Sequence, residues 1–101
     1  MRVGMIDNVK AVLIYEYKSA FSDGSIMEMV IWEVPSPIKG SSHSYKYRLY
    51  WGRDVQMVGY DNERGKGDHC HLDDEERPYK FISVDTLLED FYSEVYKRMP
   101  K

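Results

Sequence analysis

Residues Tyr45 to Trp51 alternate without a fault: Tyr45, Tyr47, Leu49 and Trp51 fall on one side, Lys46, Arg48 and Tyr50 on the other. A period of two marks a strand with one buried and one polar face. A chain holding such a strand must build a sheet whose two sides differ in character. The rest of the chain has to supply its partners and its cover.

Val12-Leu13-Ile14-Tyr15-Glu16-Tyr17 is rich in branched and aromatic side chains and reads as a strand. Ser22-Asp23-Gly24 is a turn signal, and Ile26 to Val34 reads as the second arm of a hairpin, stopped by Pro35-Ser36-Pro37. Residues 35–44 form a loop. After Trp51, Gly52-Arg53-Asp54 turns the chain into a fourth strand, Val55 to Tyr60. The acidic run Asp73 to Glu76 reads as a solvated loop, and Tyr79 to Ile82 as a short last strand. Ser83 then has the character of a helix N-cap, with Asp85 in the first turn. Val84, Leu87, Leu88, Phe91 and Val95 make one apolar stripe, Lys97 and Arg98 suit the C-terminal end, and Pro100 stops the helix. The expected fold is α+β: an antiparallel β-meander of about four to five strands with a C-terminal helix packed on one face. At 101 residues, the chain (1–101) is a single domain.

The second strand is apolar on both sides: Ile26, Val30, Trp32 and Val34 on one, Met27, Met29 and Ile31 on the other. One helix covers part of one sheet face at most. The surplus calls for a protein partner or a homodimer, unless the N-terminal segment folds over the second face. The net charge of −3 gives no overall basic footprint. Residues 1–50 carry six Lys/Arg against five Asp/Glu, and residues 51–101 eight against twelve. That balance disfavours a protein that wraps nucleic acid but leaves room for a local RNA contact. Cys70 is the single cysteine, which suits a reducing compartment. With no signal peptide and no long apolar run, the expected address is cytoplasmic and not membranous.

Reactive side chains concentrate in Tyr60–His71, YDNERGKGDHCH, which holds two of the three histidines. On an extended backbone His69 and His71 point to the same side, and Cys70 to the other, as a packed small residue. Two imidazoles on one face can exchange protons near neutral pH or contact RNA. They can also bind zinc, with Asp61 or Asp68 adding oxygen and His43 as a distant third imidazole. Spacing secures only two ligands, so neither a metal nor a cofactor is assigned; the plain alternative is a polar strand end in solvent. Gly65-Lys66-Gly67 can present bare N–H groups to an anion or simply make a tight hairpin. It is not a Walker loop, because Tyr60 and Gly67 stand where Gly and Ser/Thr belong. Asp61 enters a loop, and Asn62 suits an Asx-turn. Lys46, Arg48 and Tyr50, preceded by Lys39 and His43, make a basic–aromatic face that can meet RNA or serve only as a solvated face.

The run YDNERGKGDHCH, the earlier IWEVPSP followed by HSYKYRLYW, and the later RPYKFISVDTLLEDF resemble the TumE-type proteins, from about Ala11 to Tyr96. The matching positions of the central motif are Tyr60, Asp61, Asn62, Gly65, Lys66, Gly67, Asp68, His69 and His71. Members of that family often carry Arg between the two histidines. Cys70 stands there in this chain, which removes a cation beside the site. The resemblance implies the toxin component of a prokaryotic type II toxin–antitoxin system, with a small helix-turn-helix antitoxin as partner.

Resemblance and residues together lead to an expected ribonuclease. His69 and His71 move protons, Asp61 or Asp68 orients one imidazole, and Lys66, Arg64, Arg48 or Lys46 holds RNA phosphate. Two alternatives stand beside it. One is a non-catalytic module binding protein through an aromatic sheet face that includes Trp32 and Tyr47. The other is a metal-dependent hydrolase.

Overall fold

The computed structural model describes residues 2–6, 9–54 and 56–99. Among them, seven strands form one antiparallel sheet in simple sequence order. They are β1 (Arg2–Ile6), β2 (Val9–Ala20), β3 (Ile26–Glu33), β4 (Tyr45–Arg53), β5 (Gln56–Asp61), β6 (His69–Leu72) and β7 (Glu75–Pro78), followed by helix α1 (Val84–Arg98). The α+β meander with its C-terminal helix is as expected. Val55 and Pro100, the expected strand start and helix stop, lie outside the described residues.

The strand count differs from four to five at both ends of the sheet. The N-terminal segment does not fold over a face; β1 pairs with β2 and extends the edge, Arg2 opposite Leu13 and Ile6 opposite Val9. The acidic run is not a loop either. Asp73 and Asp74 are the two turn residues of a β6–β7 hairpin, Asp73 in the left-handed region at φ 61, and Glu75 and Glu76 begin β7. Tyr79 to Ile82, expected as a strand, has no strand pairing. It is instead tied down by the Tyr79 N–H on Asp68 O at 3.0 Å and the Tyr79 hydroxyl on Asp90 at 2.7 Å.

Register sorts the side chains into two faces. Tyr47, Leu49 and Trp51 of β4, Met27, Met29 and Ile31 of β3, Val58 and Tyr60 of β5, and Cys70 and Leu72 of β6 are buried against Leu87, Phe91 and Val95 of the helix. The helix starts where expected: Ser83 Oγ accepts from the Thr86 N–H at 3.0 Å. The other face carries no helix. A register shift between Leu13 and Tyr15 turns Tyr15 toward the helix side and leaves Ile14 37% exposed. Ile38 of the 34–44 loop closes over Ala11, Val34 and Trp32 at one end of the open face. Elsewhere on that face Val30 and Trp32 are half-buried, and Ile26 is 40% exposed.

Candidate functional site

The Tyr60–His71 motif straddles the end of β5, a loop over residues 62–68, and β6. Antiparallel pairing sets Asp61 opposite His69 and Gly59 opposite His71. On the flanks, Arg48 lies opposite Asp61 and Tyr50 opposite Gly59, while Glu76 lies opposite His71. Paired residues share a face. Arg48, Asp61, His69, His71 and Glu76 therefore stand together on the open side of the sheet, away from the helix. The basic–aromatic strand and the histidine motif, separate in the sequence, form one surface.

His69 is 6% exposed and both its ring nitrogens face oxygen acceptors. Nδ1 lies 2.9 Å from Gly67 O, and Nε2 lies 2.8 Å from Asp61 Oδ1. The two contacts fix the orientation of the ring between the loop and β5. The ring of His71 stands at 72° to that of His69, with centroids 5.7 Å apart. His71 Nε2 is 3.0 Å from Glu76 Oε2, and the same oxygen is 3.5 Å from His69 Nε2 and 3.4 Å from Lys66 Nζ. Partial burial pushes the Glu76 carboxyl up. The positive charge of Lys66, with His71 and His69, outweighs this and holds it below the usual carboxylate range. Lys66 is raised in turn by Glu76. The group borders an open cavity of about 310 Å³ lined by Lys66, Asp68, His69, Glu76, Arg77 and Pro78.

Asp68 belongs to a different network. Its Oδ1 accepts from the Ser41 hydroxyl at 2.6 Å, and its Oδ2 from the Tyr47 hydroxyl at 2.7 Å and from His43 Nε2 at 2.6 Å. The His43 tautomer follows, because Nδ1 accepts from the Tyr45 N–H at 3.2 Å and the proton must sit on Nε2. The His43 ring stacks on Phe81 with centroids 3.7 Å apart. Expected beside His69 or His71, Asp68 instead anchors the 34–44 loop through His43. Tyr47, expected on an exposed binding face, is buried, and burial with the Asp68 contact drives its hydroxyl pKa far up.

The glycines serve loop packing. The Gly65 N–H donates to Lys39 O at 2.7 Å and the Lys66 N–H to Glu63 O at 3.0 Å, so neither is available to an anion in this arrangement. Gly67 has φ +78, and a Cβ there would meet Gly40 O at 2.8 Å. Asn62 is fully buried and makes no Asx-turn. Its Oδ1 accepts from the Tyr47 N–H at 2.9 Å and its Nδ2 donates to Tyr45 O at 2.6 Å. Asp61 takes the turn role, accepting from the Glu63 N–H at 3.3 Å. Lys66 and Arg64 are exposed on the 62–68 loop; Lys66 pairs with Glu63 and Glu76. Arg48 is exposed, 5.7 Å from the Tyr50 ring, and Lys46 is half-buried opposite Trp32. Cys70 is buried on the helix side, where burial raises its thiol pKa and lowers its reactivity.

Glu76 is the residue that sequence reasoning missed. Its signal was present: a two-residue Asp73-Asp74 turn places Glu76 opposite His71 by counting back from the turn.

A protein-family model described as toxin TumE matches residues 5–99. No curated protein and no solved structure matches. Among the described residues, no helix is long and apolar enough to cross a membrane.

Proposed function

The chain belongs to the toxin TumE family, and from that premise we propose that it is the toxin of a toxin–antitoxin pair and that it cleaves RNA on its open sheet face. The observation that carries the reading is the pairing of two same-face imidazoles, each with a carboxylate: His69 with Asp61 at 2.8 Å and His71 with Glu76 at 3.0 Å. Cleavage of RNA by its own 2′-hydroxyl needs a base for that proton and an acid for the departing 5′-oxygen. His71, the more accessible ring, takes the proton, and Glu76 holds the ring that receives it. His69, fixed by Asp61 and Gly67 O, is the acid. Arg48 and Lys46 on the same face, with Lys66 and Arg64 on the loop, hold phosphate; Tyr50 and Trp32 offer stacking surfaces.

The test is incubation of purified protein with RNA, with and without a chelator, beside the His69→Ala/His71→Ala double variant. Cleavage that the double variant loses by about 10²-fold or more is expected. RNA left intact by the natural protein under both conditions would count decisively against the reading.

A specific observation favours a second reading. Trp32 and Val30 are half-buried and Ile26 is exposed on the open face, apolar surface that suits a bound protein. If the chain acts by protein binding alone, Trp32→Ala abolishes toxicity and the histidine variants keep it. In the RNA-cleaving reading this surface is where the antitoxin docks.

A further inference from the structure

We propose that His69, His71 and Glu76 form a binding site for one divalent cation of the zinc class, with water completing the shell. The spacing in β6 supplies two imidazoles; β7 adds the Glu76 carboxylate opposite His71. His69, His71 and Glu76 present ligand atoms that all lie within 4.8 Å of one another. Four ligands around zinc at bonds of about 2.0–2.1 Å stand roughly 3.4 Å apart. Glu76 Oε2 is already 3.0 Å from His71 Nε2 and 3.5 Å from His69 Nε2, and Asp61 Oδ1 approaches the same His69 nitrogen at 2.8 Å.

A further feature marks a metal site. A ligating histidine usually donates its second ring N–H to a carbonyl, which fixes the tautomer and aims the lone pair at the metal. Gly67 O holds His69 Nδ1 at 2.9 Å, which turns Nε2 toward Glu76 and Asp61. Lys66 Nζ, 3.4 Å from Glu76 on a 55% exposed side chain, is free to swing away when the ion enters. Two nitrogen donors and one oxygen donor suit zinc, cobalt or nickel, whereas magnesium and calcium require oxygen shells.

The site stands on this geometry alone; only its consequence for catalysis rests on the RNA-cleaving reading. A bound ion occupies the Nε2 atoms that would carry protons, so the metal-bound form is the resting state of that enzyme. The test is calorimetric titration of the metal-stripped full chain with zinc chloride, with cobalt chloride as a spectroscopic probe. One zinc per chain and the visible absorption of tetrahedral cobalt are expected. His71→Ala and Glu76→Gln, each checked by circular dichroism, should weaken binding at least tenfold. Glu75→Gln, one residue away on the same hairpin, should bind as the natural chain does. Absence of saturable binding, or equal affinity in all variants, overturns the site. RNA cleavage is scored separately on the same samples: stoichiometric zinc without cleavage removes the enzymatic reading and leaves the site standing.

Discussion

His69 and Asp61 face each other across neighbouring antiparallel strands, Nε2 to Oδ1 at 2.8 Å, while the second His69 nitrogen is held by Gly67 O at 2.9 Å. The two contacts hold the imidazole in one orientation.

That relationship gives the first prediction. Asp61→Asn keeps the shape but removes the carboxylate charge that faces His69 Nε2. RNA cleavage should fall by about 10²-fold or more, the usual weight of a general acid. The melting temperature should stay close to that of the natural chain. Single-turnover kinetics on a short RNA would measure this; unchanged cleavage would remove His69 from the acid role.

Gly59 lies between Tyr50 and His71 on the open face. A Cβ there would meet His71 Cβ at 3.8 Å and Leu49 O at 3.9 Å, ordinary contacts. Gly59→Val should leave the fold intact and even gain about 0.5–1 kcal/mol, because glycine weakens a strand. The added side chain fills the trough where a nucleotide would lie, so cleavage should drop at least tenfold. Thermal melts paired with rates decide it, and full activity would place the substrate elsewhere.

Asn62 bridges Tyr47 N–H and Tyr45 O from a fully buried position. Asn62→Ala leaves both backbone groups without their partner and should cost about 2–3 kcal/mol. Urea unfolding measures this directly. A loss well under 1 kcal/mol would mean that water replaces the amide at little cost.

Acid should destabilise the fold through the end of the helix. Arg98 donates to Asp73 at 3.1 Å and to Glu94 at 2.9 Å. The Arg98 contact holds Asp73 below the usual carboxylate range. Glu94 is pushed up by burial but more than offset by Arg98 and Lys97, so it too is lowered. A depressed folded pKa contributes stability above the unfolded value, about 4, and loses it as pH falls through the folded value. Melting temperature followed from pH 6 downward should therefore drop through this acid window. Arg98→Met should flatten the drop, and an acid limb unchanged in Arg98→Met would assign it to other carboxylates.

Much of this fold is written in local pattern. Alternation placed Tyr47, Leu49 and Trp51 inside and Arg48 outside; the stripe Leu87, Phe91, Val95 and the Ser83 cap defined the helix; period two put Cys70 on the opposite side from His69 and His71. These features depend on backbone geometry that repeats within a few residues. The sequence alone also marked the twelve-residue motif and three of the four clustered side chains, Asp61, His69 and His71.

The tertiary structure decided which distant residues meet. Glu76 joined the histidines because a two-residue turn folded β7 back onto β6. Arg48 came beside Asp61 through the register of β4 and β5, and Asp68 turned to His43, a residue 25 positions earlier in the chain. Composition marked Asp73–Glu76 as solvated because charge predicts exposure, and Glu76 is indeed exposed. Exposure does not say what an acid faces. That depends on strand register, which is fixed by hydrogen bonding across the whole sheet and by burial of one face against the helix.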